Sequence, residues 1–502
     1  MAQTSSMISR YSVLVAGPRP GIPRTSPAST LNTRGTSPIL SWPHATNLNP
    51  SDSYTINIQG SKGEAISVPP FLATVVEVNT TSGKSTIHNT TIARFQFSGT
   101  ADITLTYHTE AIEKAVIRPS SYAITPQVKG NKITFRLSTP KNIVVQINDN
   151  IWDTLNLFAD PTETDIPDPN DPDVIYFHAG INNGPSNLTV TDDVLAVPSG
   201  KTVYVAGGAV LTYQVAFQNV SGSTIRGRGT LFNNPGGAVL IESSSSITVR
   251  DLVILNPNGY AINAGEADGL LIHGIRAFSS KGWGDGIDIF CSNNVLIEKV
   301  FMRNSDDNIA LYQHRWGYYG HSSNITIQDA TLWADLAHAI VMGTHGNTDN
   351  PETLDGVTIR NIDILDHREP QMGYQGAIAI NPGDSNLVQN VYAEGIRVEN
   401  FREGQVVNFR VSYNSKYNTS PGRGIRNVVI KGLSYEGVNA NPALVLGYDE
   451  DRTIENVTFV DLTVNGELIY DDMAKPTWYY TADMVPMFVN EHVSDLTFVK
   501  SQ

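Results

Sequence analysis

The chain has 502 residues, of which 40% are hydrophobic, and this provides enough apolar side chain for a large folded core. It carries 34 basic and 49 acidic residues, giving a formal net charge of −15. Such a surface repels phosphate backbones, and no run of Lys and Arg forms a basic stripe, which argues against nucleic-acid binding. The single cysteine, Cys291, excludes an intramolecular disulfide framework and a multi-cysteine metal site. No stretch reaches the roughly 18 apolar residues that span a bilayer, so we expect no membrane partner.

Residues 1–45 are rich in Ser, Pro, Thr and Arg and are expected to form a flexible leader. Their short apolar run, "YSVLVAG", is not followed by a small-x-small cleavage site before folded sequence begins. Seven Asn-x-Ser/Thr triplets suit a secreted glycoprotein, although a chain rich in these residues also produces such triplets by chance. We expect a secreted protein. The asparagines of these triplets are Asn79, Asn89, Asn187, Asn219, Asn324, Asn418 and Asn456.

Residues 46–160 contain short segments in which apolar and polar residues alternate, such as "SYTINIQ", "TIARFQFSG" and "ADITLTYHT". Alternation of this kind, with turn residues between the segments, predicts an antiparallel β-sandwich. Residues 161–175 are rich in Pro and acidic residues, which break regular structure. They predict a linker between two domains.

Residues 176–502 repeat one short format, in which β-branched positions are followed by a polar bend. The central apolar residues of successive repeats, Ile272, Ile297, Ile327 and Ile359, are spaced by about one turn of a solenoid. Helical crossovers of a dozen residues, which a βαβ fold requires, are absent from the pattern. We therefore predict an all-β chain, in which a right-handed parallel β-helix follows the N-terminal sandwich. A second antiparallel sandwich is the alternative.

Three carboxylates are spaced so that neighbouring coils bring them together. Asp306 and Asp307 follow Asp285 by about one coil, and coils of a β-helix lie about 4.8 Å apart. Consecutive residues of a straight strand face opposite ways, so Asp306 and Asp307 share a groove only if the chain bends at the preceding Asn-Ser pair. Asp288 lies three residues after Asp285, and strand alternation predicts that it faces the other way in a structural role.

Three functions are open to such a cluster. Carboxylates that share a proton supply the acid and the base of glycoside hydrolysis, where the two carboxyls of an inverting enzyme are roughly 6.5 to 9.5 Å apart. The same oxygens suit Ca²⁺, which takes six to eight oxygen ligands. Asp and Asn side chains also hydrogen-bond the turns between coils.

The sequences "GDGIDIF" and "NSDDNIALY" resemble the active-site region of glycoside hydrolase family 28, the polygalacturonase type, and of family 49, the dextranases and isopullulanases. The arrangement of the chain resembles family 49 more, because those enzymes carry a β-sandwich before the β-helix. The resemblance covers most of residues 110–345. It implies an O-glycosyl hydrolase that acts on a polysaccharide or oligosaccharide, without a metal or cofactor.

The resemblance also implies a role for each carboxylate. Asp306 would be the general acid, and Asp285 and Asp307 would hold the attacking water, with inversion of the anomeric centre in one displacement. His338, in "LAHAIVMG", stands where family 28 has a histidine that tunes the acid, and a core or turn histidine is the alternative. His345 is a second candidate.

The sequence departs from family 28 where that family grips a galacturonate carboxylate with Arg and Lys. The corresponding stretch, "GAIAINP" at residues 376–382, has neither cation. A neutral polysaccharide, of the dextran or pullulan type, is therefore the predicted substrate. A pectic or rhamnose-containing glycan is one alternative, and a non-catalytic β-helix that binds glycan or calcium is another.

Side chains suited to sugar binding lie beside the predicted catalytic coils. Trp283 precedes the first carboxylate, and an indole stacks well on a sugar face, although a core position is the competing interpretation. The segment "YQHRWGYYGHSS" follows the Asp-Asp pair and is dense in aromatic and hydrogen-bonding groups. The remaining candidate subsite residues are Tyr312, Gln313, Arg315, Trp316, Tyr374, Asn381 and Arg410.

Overall fold

The computed structural model describes residues 39–43, 45–79, 81–182 and 190–501. Most of the predicted leader and the triplet at Asn187 lie outside these residues. The described part of the chain is almost entirely β-structure, as predicted. It also contains three short 3₁₀ helices, at Ser120–Tyr122, Met372–Tyr374 and Thr481–Met484.

The N-terminal region is a sandwich of two sheets whose inward side chains form one core. The strand Ile39–Ser41 lies within the predicted leader, yet it pairs in register with Phe95–Phe97 because its apolar Ile39 is covered by the sandwich. One sheet contains Ile39–Ser41, Phe71–Val78, Ser85–Phe97, Ala115–Arg118, Asn142–Ile147 and Asn150–Pro161. The other contains Tyr54–Gly60, Ala65–Ser67, Ala101–Tyr107, Gln127–Lys129 and Lys132–Leu137.

The rest of the described chain is a parallel β-helix, as predicted. Ile272 pairs with Ile297, Ile297 with Ile327, and Ile327 with Ile359, and the four form a fully buried ladder. Each coil thus buries its apolar residues on those of the coils before and after it. The period seen in the sequence therefore corresponds to one coil.

In the described part of the chain, one sheet of the β-helix contains twenty strands. They are Val174–Phe177, Gly180–Asn182, Thr202–Val205, Ala209–Leu211, Thr224–Gly227, Thr230–Phe232, Thr248–Arg250, Val253–Leu255, Asp268–His273, Arg276–Phe278, Asn293–Glu298, Phe301–Asn304, Ser322–Ala334, Thr353–Asp366, Leu387–Val398, Gly424–Tyr435, Ile454–Val460, Leu462–Val464, Glu467–Ile469 and Val493–Val499.

A second sheet of twelve strands forms the other face of the coils. It contains Val190–Thr191, Val194–Ala196, Gln214–Gln218, Val239–Glu242, Ile262–Gly265, Ile287–Phe290, Ile309–Tyr312, Ile340–Met342, Ile378–Ile380, Val407–Arg410, Ala443–Leu446 and Met487–Val489.

A left-handed residue recurs at one position of the coils and turns the chain between strands. Asn294, Asn324, Asn390, Asn427 and Asn456 occupy it with φ between 54° and 58°. Asparagine tolerates this conformation better than other side chains do. The amides also bond from coil to coil, with Asn324 donating to Asn294 at 2.6 Å and Asn456 donating to Asn427 at 2.8 Å. Two of the predicted glycosylation triplets therefore begin at structural asparagines.

Candidate active site

Three neighbouring strands of the twelve-stranded sheet carry the site, and their first residues, all isoleucine, are in register. Asp285, Asp307 and His338 each lie two residues before one of these isoleucines. The Gly286 N–H donates to the Asp307 carbonyl at 2.8 Å, and the Asn308 N–H donates to the His338 carbonyl at 2.9 Å. The three side chains therefore stack on successive coils.

The carboxylates of Asp285, Asp306 and Asp307 meet, as their spacing predicts. Each offers an oxygen within 4.8 Å of the other two. The chain bends at Ser305 and Asp306, so the adjacent aspartates both reach the same cleft. The Ser305 N–H donates to Ser279 Oγ at 2.9 Å, which ties the bend to the previous coil.

Asp307 is held by three donated hydrogen bonds. Its Oδ1 accepts from the His338 backbone N–H at 3.0 Å and pairs with His338 Nδ1 at 2.7 Å. Its Oδ2 accepts from the Tyr312 hydroxyl at 2.9 Å. The opposite nitrogen of the imidazole, Nε2, lies 2.5 Å from the Tyr374 carbonyl oxygen. His338 is fully buried. Its hydrogen bonds orient the Asp307 carboxylate, so it is not simply a side chain of the apolar core.

The environment moves the pKa values of the two adjacent aspartates in opposite directions. Burial and the neighbouring Asp307 carboxylate raise the pKa of Asp306 to about 8. Burial also acts to raise the pKa of Asp307, but the charge and hydrogen bonds of His338 outweigh it and the pKa is lowered overall. The same ion pair raises the pKa of His338 against the opposing effect of burial. At neutral pH the pair therefore contains one acid and one carboxylate.

Asp288 lies near Asp285, which strand alternation did not predict, but it is fully buried and does not line the cleft, in keeping with the predicted structural role. Asp285 lies in the turn before the strand, where strand alternation does not apply, and Asp288 faces outward between the buried Ile287 and Ile289. Burial and mutual repulsion raise the pKa values of both Asp285 and Asp288. Both carboxyls therefore keep a proton to higher pH than an ordinary aspartate does.

The carboxylates open on a cavity of about 480 Å³. Its walls come from the coils that carry the three aspartates, from the loops after later coils and from the N-terminal sandwich. The floor is formed by Asp285, Asp306 and Asp307. The other lining residues with charged or aromatic side chains are Tyr260, Lys281, Trp283, Tyr312, Arg315, His345, Glu369, Tyr374, Lys416 and Tyr417.

Five of the predicted subsite residues line this cleft. Trp283 is 65% exposed, so it is not a core residue. Tyr312 is buried beneath the cleft, and the partly buried His345 contacts its ring edge-to-face at 4.9 Å. Burial and the Arg315 guanidinium lower the pKa of His345 to about 3, so this imidazole is neutral. The Tyr374 ring stacks on Tyr417 at 4.9 Å.

Four predicted subsite residues are not in the cleft wall. Gln313 and Asn381 are fully buried, because their side chains turn toward the protein; Asn381 donates to Asn408. Trp316 is exposed, but its ring covers the Arg315 guanidinium at 4.7 Å and supports the cleft from outside. Arg410 donates to the Gly373 carbonyl at 2.8 Å and lines a neighbouring cavity of about 390 Å³.

Several cleft residues carry no signal in the sequence. Glu369, Lys416 and Tyr417 lie on long connections after later coils, where no repeat fixes their position. Lys281 lies two residues before Trp283, close to the Asp285 motif, and this proximity is a signal that could have identified it.

The fold and this acidic cleft define the class of β-helical glycoside hydrolases, and comparisons with known proteins support that class. A model of glycosyl hydrolases family 28 matches residues 208–473, which is more than half of the chain. The chain belongs to this family. The predicted closer resemblance to family 49 is not supported by this sequence match.

Polygalacturonases are among the relatives. The chain is 30% identical to polygalacturonase of Juniperus ashei over 189 residues, covering 37% of this chain and 34% of the relative. It is 28% identical to polygalacturonase of Chamaecyparis obtusa over 210 residues, covering 41% and 37%. The chain thus spans little more than a third of the length of these relatives.

The fold is similar to that of Dex49A from Penicillium minioluteum, with a TM-score of 0.62. The match covers 94% of this chain and all of the other, at 14% identity. At that identity the similarity shows the fold alone.

Proposed function

We propose that this protein is a glycoside hydrolase in which Asp306 is the general acid and the carboxylates of Asp307 and Asp285 activate water. The observation that carries the proposal is the pair of adjacent aspartates with opposite protonation in one cleft. Asp306, with its pKa raised to about 8, holds a proton at neutral pH. Asp307, fixed by His338 and Tyr312, is ionised. Carboxyls whose pKa values are pushed apart are suited to acid and base roles.

At the anomeric carbon, the reaction breaks one C–O bond and forms another. Asp306 gives its proton to the glycosidic oxygen as the bond to the anomeric carbon breaks. A water molecule attacks that carbon and gives its proton to Asp307 or Asp285. The products are a new reducing end and a free hydroxyl, and proton exchange with solvent restores the cleft.

Inversion is part of the proposal on the strength of the family resemblance. The carboxyl oxygens lie within 4.8 Å of one another, which is closer than the roughly 6.5 to 9.5 Å common between the two carboxyls of inverting enzymes. The distance therefore does not support inversion by itself. Proton NMR of the first product formed decides it: we expect the anomer opposite to that of the substrate, and the same anomer would make one aspartate a nucleophile.

A pectic glycan is the substrate class with more support. The curated relatives are polygalacturonases, and three cations, Lys281, Arg315 and Lys416, line the cleft, where they can face sugar carboxylates. These cations lie outside the stretch 376–382, where family 28 has its Arg and Lys.

A neutral α-glucan of the dextran or pullulan type is the second candidate. Its support is that Ala377 and Ala379, in the stretch where family 28 has cations, are buried and uncharged. Trp283 is exposed in the cleft and suits stacking on a neutral sugar face as well as on an acidic one.

The test is reducing-sugar release from polygalacturonate, rhamnogalacturonan, dextran, pullulan and nigeran, with wild type beside Asp306→Asn. We expect release by wild type from one substrate class and a loss of about 10²- to 10⁴-fold in Asp306→Asn, the usual contribution of a general acid. Glycan binding without release would favour the non-catalytic alternative. Addition of EDTA separates the calcium alternative: we expect unchanged activity, and loss of activity or of thermal stability would support calcium at the three aspartates.

Secretion is also a proposal, and it rests on the glycosylation triplets. Asn79, Asn89, Asn219 and Asn324 are exposed, whereas Asn418 is buried and donates to the Thr344 carbonyl. Mass spectrometry of protein from a secreting eukaryotic host tests this. Glycan on the exposed sites and none on Asn418 is the expected result, and no glycan at any site would contradict it.

A further inference from the structure

The cleft has a wall that does not belong to the β-helix. A hairpin of the sandwich, formed by Phe71–Val78 and Ser85–Phe97, ends beside the catalytic carboxylates. From this hairpin Val76, Val78, Gly83 and Ser85 line the same cavity as Asp285 and Asp306. The sandwich is thus part of the active-site surface.

Hydrogen bonds attach the hairpin to the β-helix beside the cleft. Thr74 Oγ1 lies 2.7 Å from Ser280 Oγ, three residues before the exposed Trp283. Farther along the same strand, Arg368 Nη1 donates to the Val78 carbonyl at 2.7 Å. The hairpin is therefore attached to the β-helix at two points, 74 and 78, on the strand that borders the cavity.

Apolar packing makes this position rigid. Ala73 and Val75, on the hairpin, share a buried cluster with Phe278, Phe301 and Trp333 of the β-helix. A closely packed interface of this kind resists displacement of one part against the other. The wall is consequently a fixed part of the cleft.

Hydrogen bonds link the described residues of the hairpin turn, 79 and 81–84. The Asn79 N–H donates to the Lys84 carbonyl and the Gly83 N–H donates to the Asn79 carbonyl, both at 2.8 Å. The Asn79 side-chain oxygen accepts from the Ser82 N–H at 2.9 Å. Gly83 itself has φ of +67° and has no other atom within 4 Å of the place where a Cβ would be. A side chain at residue 83 would therefore occupy open space at the cleft without moving the protein.

We propose that the turn of this hairpin forms one side of a sugar-binding subsite next to the catalytic aspartates, and that the sandwich thereby sets which glycan chains the cleft accepts. This rests on the proposed function, because the ligand is a segment of the polysaccharide substrate. A sugar ring in this subsite would share the cavity with the stacked rings of Tyr374 and Tyr417, which also line it. The hairpin acts on binding and chain length and takes no part in the proton transfers.

The chain offers a matched pair of variants to test this. Gly83→Asn adds a side chain at the cleft, and asparagine tolerates the left-handed backbone. Gly63→Asn is the control, because Gly63 has φ of +83° in another sandwich turn and equally open surroundings, away from the cleft. Any cost of placing Asn at such a turn is common to both variants.

The measurement is kcat and KM on the polysaccharide that wild type cleaves and on oligosaccharides of increasing length. We expect Gly83→Asn to raise KM by about 3- to 10-fold for the longer chains with kcat within about twofold, since ground-state binding alone is lost. Gly63→Asn should match wild type, and both should keep its unfolding temperature. Equal KM values and product lengths for the two variants would overturn the proposal.

A binding arm separates this proposal from the proposed chemistry. Binding of the same oligosaccharides is measured by calorimetry to Asp306→Asn, with and without Gly83→Asn. Weaker binding in the double variant supports the subsite even if wild type releases no sugar, whereas equal binding contradicts it. If Gly83→Asn folds poorly, Ser85→Tyr, at an exposed strand position on the same wall, takes its place.

Discussion

Asp306 and Asp307 are neighbours in the chain, but their surroundings make them chemically different. Asp307 accepts three hydrogen bonds, one from the Tyr312 hydroxyl and two from His338, through its backbone N–H and its Nδ1. These bonds favour the charged form of Asp307. Among the hydrogen bonds of the described residues, Asp306 accepts one, from the backbone N–H of Asp307. Its proton is therefore available to a substrate oxygen in the cleft.

The pH dependence of hydrolysis should reflect this difference. The acid must be protonated to react, so kcat/KM should fall as the pH rises through about 8, the raised value for Asp306. On the acidic side, kcat/KM should fall only at low pH, because the pKa of Asp307 is lowered and this carboxylate stays ionised in mild acid. A pH–rate profile on the identified substrate checks both limbs. A profile that falls already between pH 5 and 6 would contradict the raised pKa of Asp306.

The ion pair between His338 and Asp307 should be visible in the acidic limb. Loss of the imidazolium in His338→Gln removes the main influence that lowers the pKa of Asp307, so this limb should move to higher pH and kcat should fall. His273→Gln is a matched control, since His273 pairs with Glu298 at 2.9 Å away from the cleft. An unchanged acidic limb in His338→Gln would show that His338 is only a buried structural residue.

At the scale of elements, a buried ion cluster joins the last long strand of the sandwich to the β-helix. Asp160, at the end of that strand, accepts from Arg94 at 2.6 Å, from Arg276 at 2.7 Å and from Arg228 at 3.2 Å. All four side chains are buried. Asp160 contacts all three guanidiniums and offsets their mutual repulsion, and Asp251 lies 3.4 Å from Arg228 as well.

Removal of the charge in Asp160→Asn should be strongly destabilising. A buried pair that loses one partner costs about 3 to 5 kcal/mol in the free energy of unfolding, because the remaining charge stays buried without compensation. Denaturant unfolding at neutral pH measures it. Asp102→Asn is the control, as Asp102 pairs with Arg136 on the surface and should change stability little. Equal effects of the two substitutions would show that the buried cluster does not hold the two elements together.

At the scale of the whole molecule, the sandwich and the β-helix belong to one compact unit. Phe158 of the sandwich packs edge-to-face on Phe301 at 5.1 Å and at a tilted angle on Phe278 at 6.1 Å. The ion cluster and the hairpin contacts join the two parts at the same interface. If either part unfolded alone, the aromatic side chains of this interface would be exposed to water.

We therefore expect the two parts to unfold together. Differential scanning calorimetry of the whole chain should show one cooperative transition, because separation of the parts exposes Phe278, Phe301 and Trp333. Phe158→Ala should weaken this coupling by removing the central contact. Two resolved transitions in wild type would contradict the expectation and would make the sandwich an independent domain.

Local pattern was enough to predict the coils and the catalytic floor. The ladder from Ile272 to Ile359 repeats with the period of a coil, and stacked coils with the bend at Ser305 and Asp306 bring Asp285 beside the pair at 306 and 307. Alternation within the short strands predicted the sandwich in the same way. These features depend on neighbours in sequence and on one regular spacing, so the sequence by itself determined them.

Tertiary structure alone decided the rest of the site. Whether a side chain such as Gln313 faces the cleft depends on how the loop after its strand closes, and Lys416 and the hairpin at Gly83 reach the cleft from distant parts of the chain. The raised pKa of Asp306 and the lowered pKa of Asp307 arise from burial and from a partner one coil away. Long-range contacts and the exclusion of water have no local signature, and for that physical reason the sequence determined the carboxylates, whereas the fold decided their protonation and the shape of the cleft around them.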